Sequence, residues 1–183
     1  ESRDILFHYM IGDDLVGVGG PTRWIIDFAQ RDMTEAMHYP AAFERVKKEV
    51  MPDVLAKAES EKKATGKETT RWTRMANRWW QFRDYQPGLM KLIEKLPRYI
   101  AYSRTTRRPI FEFVSSDIHP DTKLAVLVFD DDYSFGIIQS FIHWEWVLAR
   151  CSTWKRDFNY TGNTVFDTFP WPQFERSREG REE

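Results

Sequence analysis

The sequence predicts an α+β fold, a single domain with a mixed, largely antiparallel sheet flanked by helices. Apolar residues recur with helical spacing in two widely separated segments, residues 41–63 and 141–150. Three short runs rich in β-branched and aromatic residues lie between them, at residues 99–102, 110–114 and 124–129. Because only short turns separate consecutive runs, antiparallel pairing is favoured over the alternating pattern of a parallel sheet.

The N-terminal elements are expected to be short. The stretch LFHYMIGDDL predicts a short helix or turn, and a glycine-rich bend then leads into a strand at residues 24–28. The bend, GVGG, lacks the lysine and Ser/Thr of a phosphate-binding loop and the glycine order of a dinucleotide-binding turn. Residues 41–63 should form two helical segments, because Pro52 removes a backbone donor inside the pattern. The polar residues 59–70 are expected to be a mobile connection.

The later elements follow the same two periodicities. A short helix is expected at residues 89–96, where Pro97 stops it, and an extended stretch at residues 133–137. The last helix, at residues 141–150, should pack an apolar stripe on the core. The members of this stripe recur at spacings of three and four residues: Phe141, Trp144 and Leu148.

A rigid aromatic segment, TGNTVFDTFPWP, occupies residues 161–172. Pro170 and Pro172 push the residues before them toward extended conformations, so no helix can pass through FPWP. We therefore expect an extended segment that is anchored on the core. The side chains expected to anchor it are aromatic: Phe166, Phe169 and Trp171.

Residues 1–174 are expected to form the domain and residues 175–183 a charged, disordered tail. The single cysteine, Cys151, excludes an internal disulfide framework and is typical of a reducing compartment. No apolar run approaches the roughly 18 residues of a membrane span, and the first ten residues lack the features of a signal peptide, which predicts a cytoplasmic protein with no membrane partner. Because the chain begins with Glu1 and enters amphipathic sequence at once, we expect a fragment of a longer protein.

Charge is distributed unevenly along the chain. Residues 71–108 hold 10 Lys/Arg against 2 Asp/Glu, whereas residues 109–149 hold 1 against 7. Arginines in the basic stretch alternate with tryptophan and tyrosine, a combination that suits phosphate and base contacts. The stretch therefore predicts a binding site for a polyanion, with a solvated basic face as the alternative.

Residues that could carry catalysis are sparse. The four histidines stand far apart, and no pair of His or Cys has metal-ligand spacing. Residues 130–132 are three consecutive aspartates that could bind a divalent ion, and Pro120-Asp121 resembles the start of a PD-(D/E)xK nuclease motif, but the required later lysine is missing. Cys151 has no histidine partner in the sequence pattern. A metal-dependent nuclease built on Asp121 and residues 130–132 stays open, as does a tryptophan-rich protein-interaction module.

Five stretches, taken together and in order, resemble one known family. They are IIDFAQRDMTEAMHYPAAFERVKKEVMP, NRWWQF, LPRYIAYSRTTRRPIFEFV, LAVLVFDDDYSFGIIQSFIHWEW and NTVFDTFPWP. This pattern resembles the target recognition domain of MmeI-like (Type IIL/IIG) restriction-modification enzymes and of related large adenine-specific DNA methyltransferases, over residues 6–173. The Asn-Pro-Pro-Tyr motif and glycine-rich cofactor loop of the family's methyltransferase are absent from this chain and, by resemblance, are expected N-terminal to it in the parent protein.

The resemblance implies a sequence-specific double-stranded DNA recognition domain of an N6-adenine methyltransferase, with or without a fused endonuclease. The domain itself would be non-catalytic and would bind no cofactor and no metal, while S-adenosylmethionine would serve the parent enzyme. Its implied partners are double-stranded DNA and the N-terminal methyltransferase domain of the same polypeptide.

The resemblance also assigns site residues. Base contacts are expected from the residues just before the FPWP segment, which we predict to be a loop over residues 151–164: Lys155, Arg156, Asp157, Asn159 and Tyr160. Phosphate contacts are expected from arginines of the basic stretch: Arg98, Arg104, Arg107 and Arg108.

Overall fold

The computed structural model describes residues 3–17, 19–82, 86–154 and 156–172. The predicted tail and Lys155 therefore lie outside the described residues. Helices in the described ranges are, in chain order, α1 Met33–Met37, α2 Pro40–Glu49, α3 Met51–Thr65, α4 Arg71–Ala76, α5 Pro87–Ile93, α6 Asp132–Ile138 and α7 Phe141–Arg150, followed by a π-helical turn at Gly162–Phe166.

Strands in the same ranges form three small sheets. In chain order they are β1 Leu6–Met10, β2 Arg23–Ile26, β3 Arg98–Ser103, β4 Thr105–Thr106, β5 Phe111–Ser115, β6 Ile118–Pro120, β7 Leu124–Leu127, β8 Ser152–Trp154 and β9 Asp157–Asn159. The sheet orders are β2-β1-β6, β5-β3-β7 and β4-β9-β8, and every pair is antiparallel except β1 with β6. The α+β class is confirmed, although the strands divide among three sheets where one was expected.

The first strand corrects the expectation of a helix or turn in LFHYMIGDDL. Leu6–Met10 pairs with β2 on one side and with β6 on the other. The pairing with β6 joins His8 to Ile118 across more than a hundred residues. A five-residue run carries too little local periodicity to reveal a partner so distant in sequence.

The two helices around Pro52 are confirmed, but the second is longer than expected. It continues to Thr65 through residues assigned to a mobile connection, because this polar run has high helix propensity and an ion pair between Lys63 and Glu59 spans one turn at 2.6 Å. Gly66 then ends the helix with φ 66°, a left-handed conformation in which glycine has no steric penalty.

The helices after the acidic run also differ from expectation. Residues 132–138 are helical where an extended stretch was predicted, because the Asp131 carboxylate accepts from the Ser134 N–H at 2.9 Å and caps the helix N-terminus. In α7 the predicted stripe faces the core only in part: Trp144 packs against buried residues, but Phe141 and Leu148 are exposed. Phe141 is 72% exposed, whereas His143 and Val147 are buried.

Three apolar clusters hold these elements together. One packs β2, α1 and the helices α2 to α4 around Phe28, a second packs α5 against β3, and the third packs α6 and α7 on the other face of the β3 sheet. Phe166 and Trp171 pack against the third cluster, and Phe169 is 6% exposed beside the His143 ring. The anchoring role predicted for these three aromatics is confirmed. Full burial of a phenylalanine side chain such as Phe169 contributes about 1.5–3 kcal/mol.

Candidate nucleic-acid interface

The sheet β4-β9-β8 brings the two predicted sets of binding residues together. Thr105 of β4 pairs with Asn159 of β9, and Ser152 of β8 pairs with Asn159 from the other side. Arg104 immediately precedes β4, its N–H donates to the Lys123 carbonyl at 3.2 Å, and its carbonyl accepts from the Tyr160 N–H at 3.0 Å. Arg104 and β4 are therefore hydrogen-bonded neighbours of residues 159 and 160, about 50 residues later in the sequence.

The segment predicted to be a loop is in fact a β-hairpin. Residues 152–154 and 157–159 pair in register, with Trp154 opposite Asp157, so the chain reverses direction between these two residues. Arg156 is exposed at this turn. The hairpin lacks the Asn-Gly or Asp-Gly dipeptide that marks two-residue turns, which is why local sequence did not reveal it.

The two faces of the hairpin are chemically different. On one face the Phe158 ring meets the Trp144 ring edge-on, with centroids 5.7 Å apart, and fixes the hairpin to α7. Side chains alternate along a strand, so Asp157 and Asn159 project from the other face, both partly exposed. The Asn159 amide nitrogen lies 3.5 Å from the Ser152 hydroxyl across the hairpin. The outer face therefore presents polar groups from a backbone that its inner face holds in place.

Tyr160 is placed differently from the residues predicted beside it. Its side chain is 1% exposed, its ring packs on Tyr102 and Phe111, and its hydroxyl lies 3.0 Å from His143 Nε2. The Ile138 carbonyl, 2.7 Å from His143 Nδ1, can only accept, so Nδ1 carries the proton and Nε2 accepts from the Tyr160 hydroxyl. Burial raises the pKa of Tyr160 far above its ordinary value. In this structure the Tyr160 side chain belongs to the core and presents no group to a ligand.

The four predicted phosphate contacts separate into two groups. Arg98 donates to the Asp132 carboxylate at 2.8 Å and to the Asp130 carbonyl at 2.9 Å, and its guanidinium lies 3.6 Å from the centroid of the Phe113 ring. Its charge is therefore neutralised by the acidic run. The other three arginines are exposed around β4: Arg104, Arg107 and Arg108. The Arg108 guanidinium lies over the Trp144 ring at 5.4 Å from its centroid.

A cleft of about 600 Å³ opens beside the hairpin. Arg104 and Asn159 line it from one side, Tyr9 and Asp121 from another, and the unpaired edge of β7 forms part of its wall. Lys123, at the start of this wall, is exposed and adjoins Arg104 through the backbone hydrogen bond. Lys123 was not among the predicted site residues, although it is the only Lys or Arg among residues 109–149.

The family model described as the target recognition domain of MmeI matches residues 2–173 of this sequence. The chain belongs to the MmeI target recognition domain family. The resemblance seen in the sequence is thereby confirmed. No curated protein sequence matches the chain.

A solved structure has the same fold as this member of the MmeI family. It is that of the Type IIL restriction-modification enzyme MmeI in complex with DNA, with a TM-score of 0.68 at 18% identity. The match covers 96% of this chain and 21% of the MmeI chain. The present chain therefore spans about a fifth of the length of that relative.

The groups considered for catalysis have structural roles in this MmeI family member. Asp131 caps α6, Asp132 pairs with Arg98, and Asp121 accepts from the Tyr9 hydroxyl at 3.0 Å. Within the described ranges, no group of three or more His, Cys, Asp or Glu residues could hold a metal ion. Burial raises the pKa of the Cys151 thiol, which is opposite to the shift that activates a nucleophile.

No helix among the described residues combines the length and the apolar character that crossing a membrane demands.

Proposed function

We propose that this chain is the sequence-recognition domain of a restriction-modification enzyme and that it contacts base edges with the outer face of the β8–β9 hairpin. The observation that carries the proposal is the sheet β4-β9-β8. It places Asp157 and Asn159 beside the exposed arginines that flank β4. A protein that recognises a duplex sequence needs both kinds of group in one surface.

The dimensions and chemistry of the hairpin suit the major groove. The groove admits a two-stranded ribbon, and its base pairs differ there in their donors and acceptors. The Asp157 carboxylate can accept from cytosine N4, and the Asn159 amide can pair with the donor and acceptor of adenine. Arg156, at the turn, can donate to guanine O6 and N7. Lys155 stays a prediction for base contact, and Tyr160 is left out because its side chain is buried.

Phosphate contacts are proposed for the arginines around β4. Arg104, Arg107 and Arg108 are exposed and flank the hairpin, and their positive charge attracts the backbone without distinguishing bases. Lys123 is added to this set because it adjoins Arg104. Arg98 is removed from it, since Asp132 already occupies its guanidinium.

The parent of this chain is proposed to be an S-adenosylmethionine-dependent adenine-N6 DNA methyltransferase of the cytoplasm, with the recognition domain itself non-catalytic. Support comes from membership of the MmeI family and from the match to only 21% of the MmeI chain. The rest of such a polypeptide is long enough to contain a catalytic domain. The methyltransferase domain would flip the target adenine from the stack after the hairpin has located the site.

A salt titration tests the proposal. The chain is titrated with labelled duplex DNA at several salt concentrations, with magnesium present. The logarithm of the binding constant should fall linearly with the logarithm of salt, with a slope of about −0.9 for each phosphate contacted, and the DNA should stay intact. Salt-independent binding, absence of binding, or cleavage of the duplex would reject it. Calorimetry with S-adenosylmethionine should give no binding heat, and measurable binding would contradict the division of roles between this domain and its parent.

A further inference from the structure

The outer face of α7 is unusually apolar for a surface. Phe141 and Ile142 are each 72% exposed and Leu148 is 43% exposed. At about 100° per residue these three fall in one arc of roughly 120°, together with Glu145 and Ala149. The opposite arc, with His143 and Val147, is buried in the third apolar cluster. A helix that is apolar on both arcs is typical of one covered on both sides.

Charge argues against DNA as the partner of this face. Glu145 lies near the middle of the exposed arc, and residues 109–149 hold 1 Lys/Arg against 7 Asp/Glu. A duplex would bring its phosphates toward these carboxylates and would gain nothing from Phe141 or Ile142. The basic residues proposed for DNA adjoin the edge of α7 that carries Trp144, beside the outer arc. The outer face therefore suits a protein partner.

We propose that the outer face of α7 is the docking surface for another domain of the same, longer polypeptide, one that offers an apolar patch with a basic residue opposite Glu145. This inference rests on the proposed function, which makes the chain one domain of a larger enzyme. Its support is the match to 21% of the MmeI chain, so that about four fifths of such a polypeptide lies outside the domain. A covalently linked domain is always present at high effective concentration, which lets an interface of modest size persist.

Photo-crosslinking in the full-length polypeptide tests this directly. The photoreactive amino acid p-benzoylphenylalanine replaces Ile142 in one variant and, as the matched control, Val16, which is 65% exposed. Cross-linked peptides are identified by mass spectrometry from a mixture of isotopically light and heavy protein. Position 142 should cross-link within one polypeptide to a peptide outside the present 183 residues, at least tenfold more than position 16 does. Absence of cross-links, cross-links between light and heavy copies, or cross-links to added DNA would each overturn the proposal.

A paired substitution separates this proposal from the proposed function. In the present chain, Phe141→Glu with Ile142→Glu should leave the melting temperature and duplex binding unchanged. In the full-length polypeptide the same pair should increase the rate of proteolytic cleavage between domains several-fold, while Leu55→Glu, at a side chain 45% exposed on α3, should not. Equal cleavage rates for both variants would reject docking at α7. If the wild-type chain fails to bind DNA but the cross-links persist, the recognition function fails and the docking surface stands.

Discussion

The β8–β9 hairpin and the segment after it, residues 160–171, are continuous in sequence and opposite in environment. Asp157 and Asn159 are partly exposed on the outer face of the hairpin, whereas Tyr160 is 1% exposed and Val165 is fully buried. We call residues 160–171 the anchor segment. Tyr160, Val165 and Phe169 of the anchor segment are buried, while the residues between them are exposed or half-buried. The comparison indicates that the polar side chains on the outer face of the hairpin can vary without disturbing the fold, because the buried residues of the anchor segment supply packing.

The largest expected effect is in the anchor segment. Phe169→Ala should lower the free energy of unfolding by about 3–5 kcal/mol, because the ring packs against His143, Trp146 and Trp171 and its removal leaves a cavity. Phe141→Ala is the matched control, since that ring is 72% exposed and its loss should change the stability by less than about 0.5 kcal/mol. Urea denaturation measures both. Equal losses would show that the packing described for the anchor segment is wrong.

Tyr160 gives the next largest effect and separates a core role from a base-contacting role. Tyr160→Phe removes the hydroxyl that donates to His143 Nε2 and leaves a buried acceptor without its partner, at a cost of about 1–3 kcal/mol of stability. The DNA sequence bound should stay the same. A changed sequence preference at unchanged stability would return Tyr160 to the set of base-contacting residues.

The His143 pair also makes stability depend on pH. Burial lowers the pKa of His143 below its ordinary value of about 6.5, so the unfolded chain takes up the proton more readily than the folded one. The contribution to stability is complete above about pH 6.5 and declines as the pH falls toward the folded-state pKa. Between pH 7.5 and pH 5.5 the wild type should therefore lose more stability than His143→Gln, in which the buried group that titrates in this range is gone. Equal losses in urea denaturation would contradict a buried neutral histidine.

A smaller effect is expected for phosphate contacts beside the hairpin. Arg104→Ala should weaken duplex binding about equally on all sequences and reduce the salt slope by about one unit. Arg98→Ala is the matched control within the same basic stretch, because Asp132 already pairs with that guanidinium. Its salt slope should not change. Loss of sequence discrimination at an unchanged slope would instead make Arg104 a base contact.

The sequence allowed the α+β class and the two helices around Pro52 to be predicted, because helical periodicity and proline chemistry are local. It also allowed the aromatic anchoring of residues 161–172 to be predicted, but not their backbone: an extended chain was expected, whereas Gly162–Phe166 forms a π-helical turn, because the prolines at 170 and 172 restrict only the residues next to them. The strand at Leu6–Met10 was missed because its partner β6 is distant in sequence. The hairpin was missed because its turn lacks the dipeptides that mark two-residue turns. In α7, two of the three residues predicted to face the core, Phe141 and Leu148, are exposed. Both arcs of that helix are apolar, so periodicity alone cannot distinguish the covered one.

The candidate site was predicted in part. Arg104, Arg107, Arg108, Arg156, Asp157 and Asn159 lie on or beside one sheet, which their positions in sequence alone do not indicate. Arg98 and Tyr160 lie within the same sequence segments but have partners inside the protein, Asp132 and His143. Residue type suggested contact with DNA for both groups. The structure separates exposed side chains from those that already pair with other residues of the protein, and residue type alone cannot make this distinction.

Selection from a randomised duplex library tests the central claim most directly. The wild-type chain, Asp157→Ala, Asn159→Ala and the control Thr153→Ala are each used to recover bound sequences. Thr153 is exposed on the same hairpin but pairs with Phe158, so it lies on the other face. The account predicts that Asp157→Ala and Asn159→Ala each relax the preference at a position of the bound sequence, by about 1–3 kcal/mol, while Thr153→Ala keeps the wild-type sequence. Recovery of one identical sequence by all four proteins would contradict it.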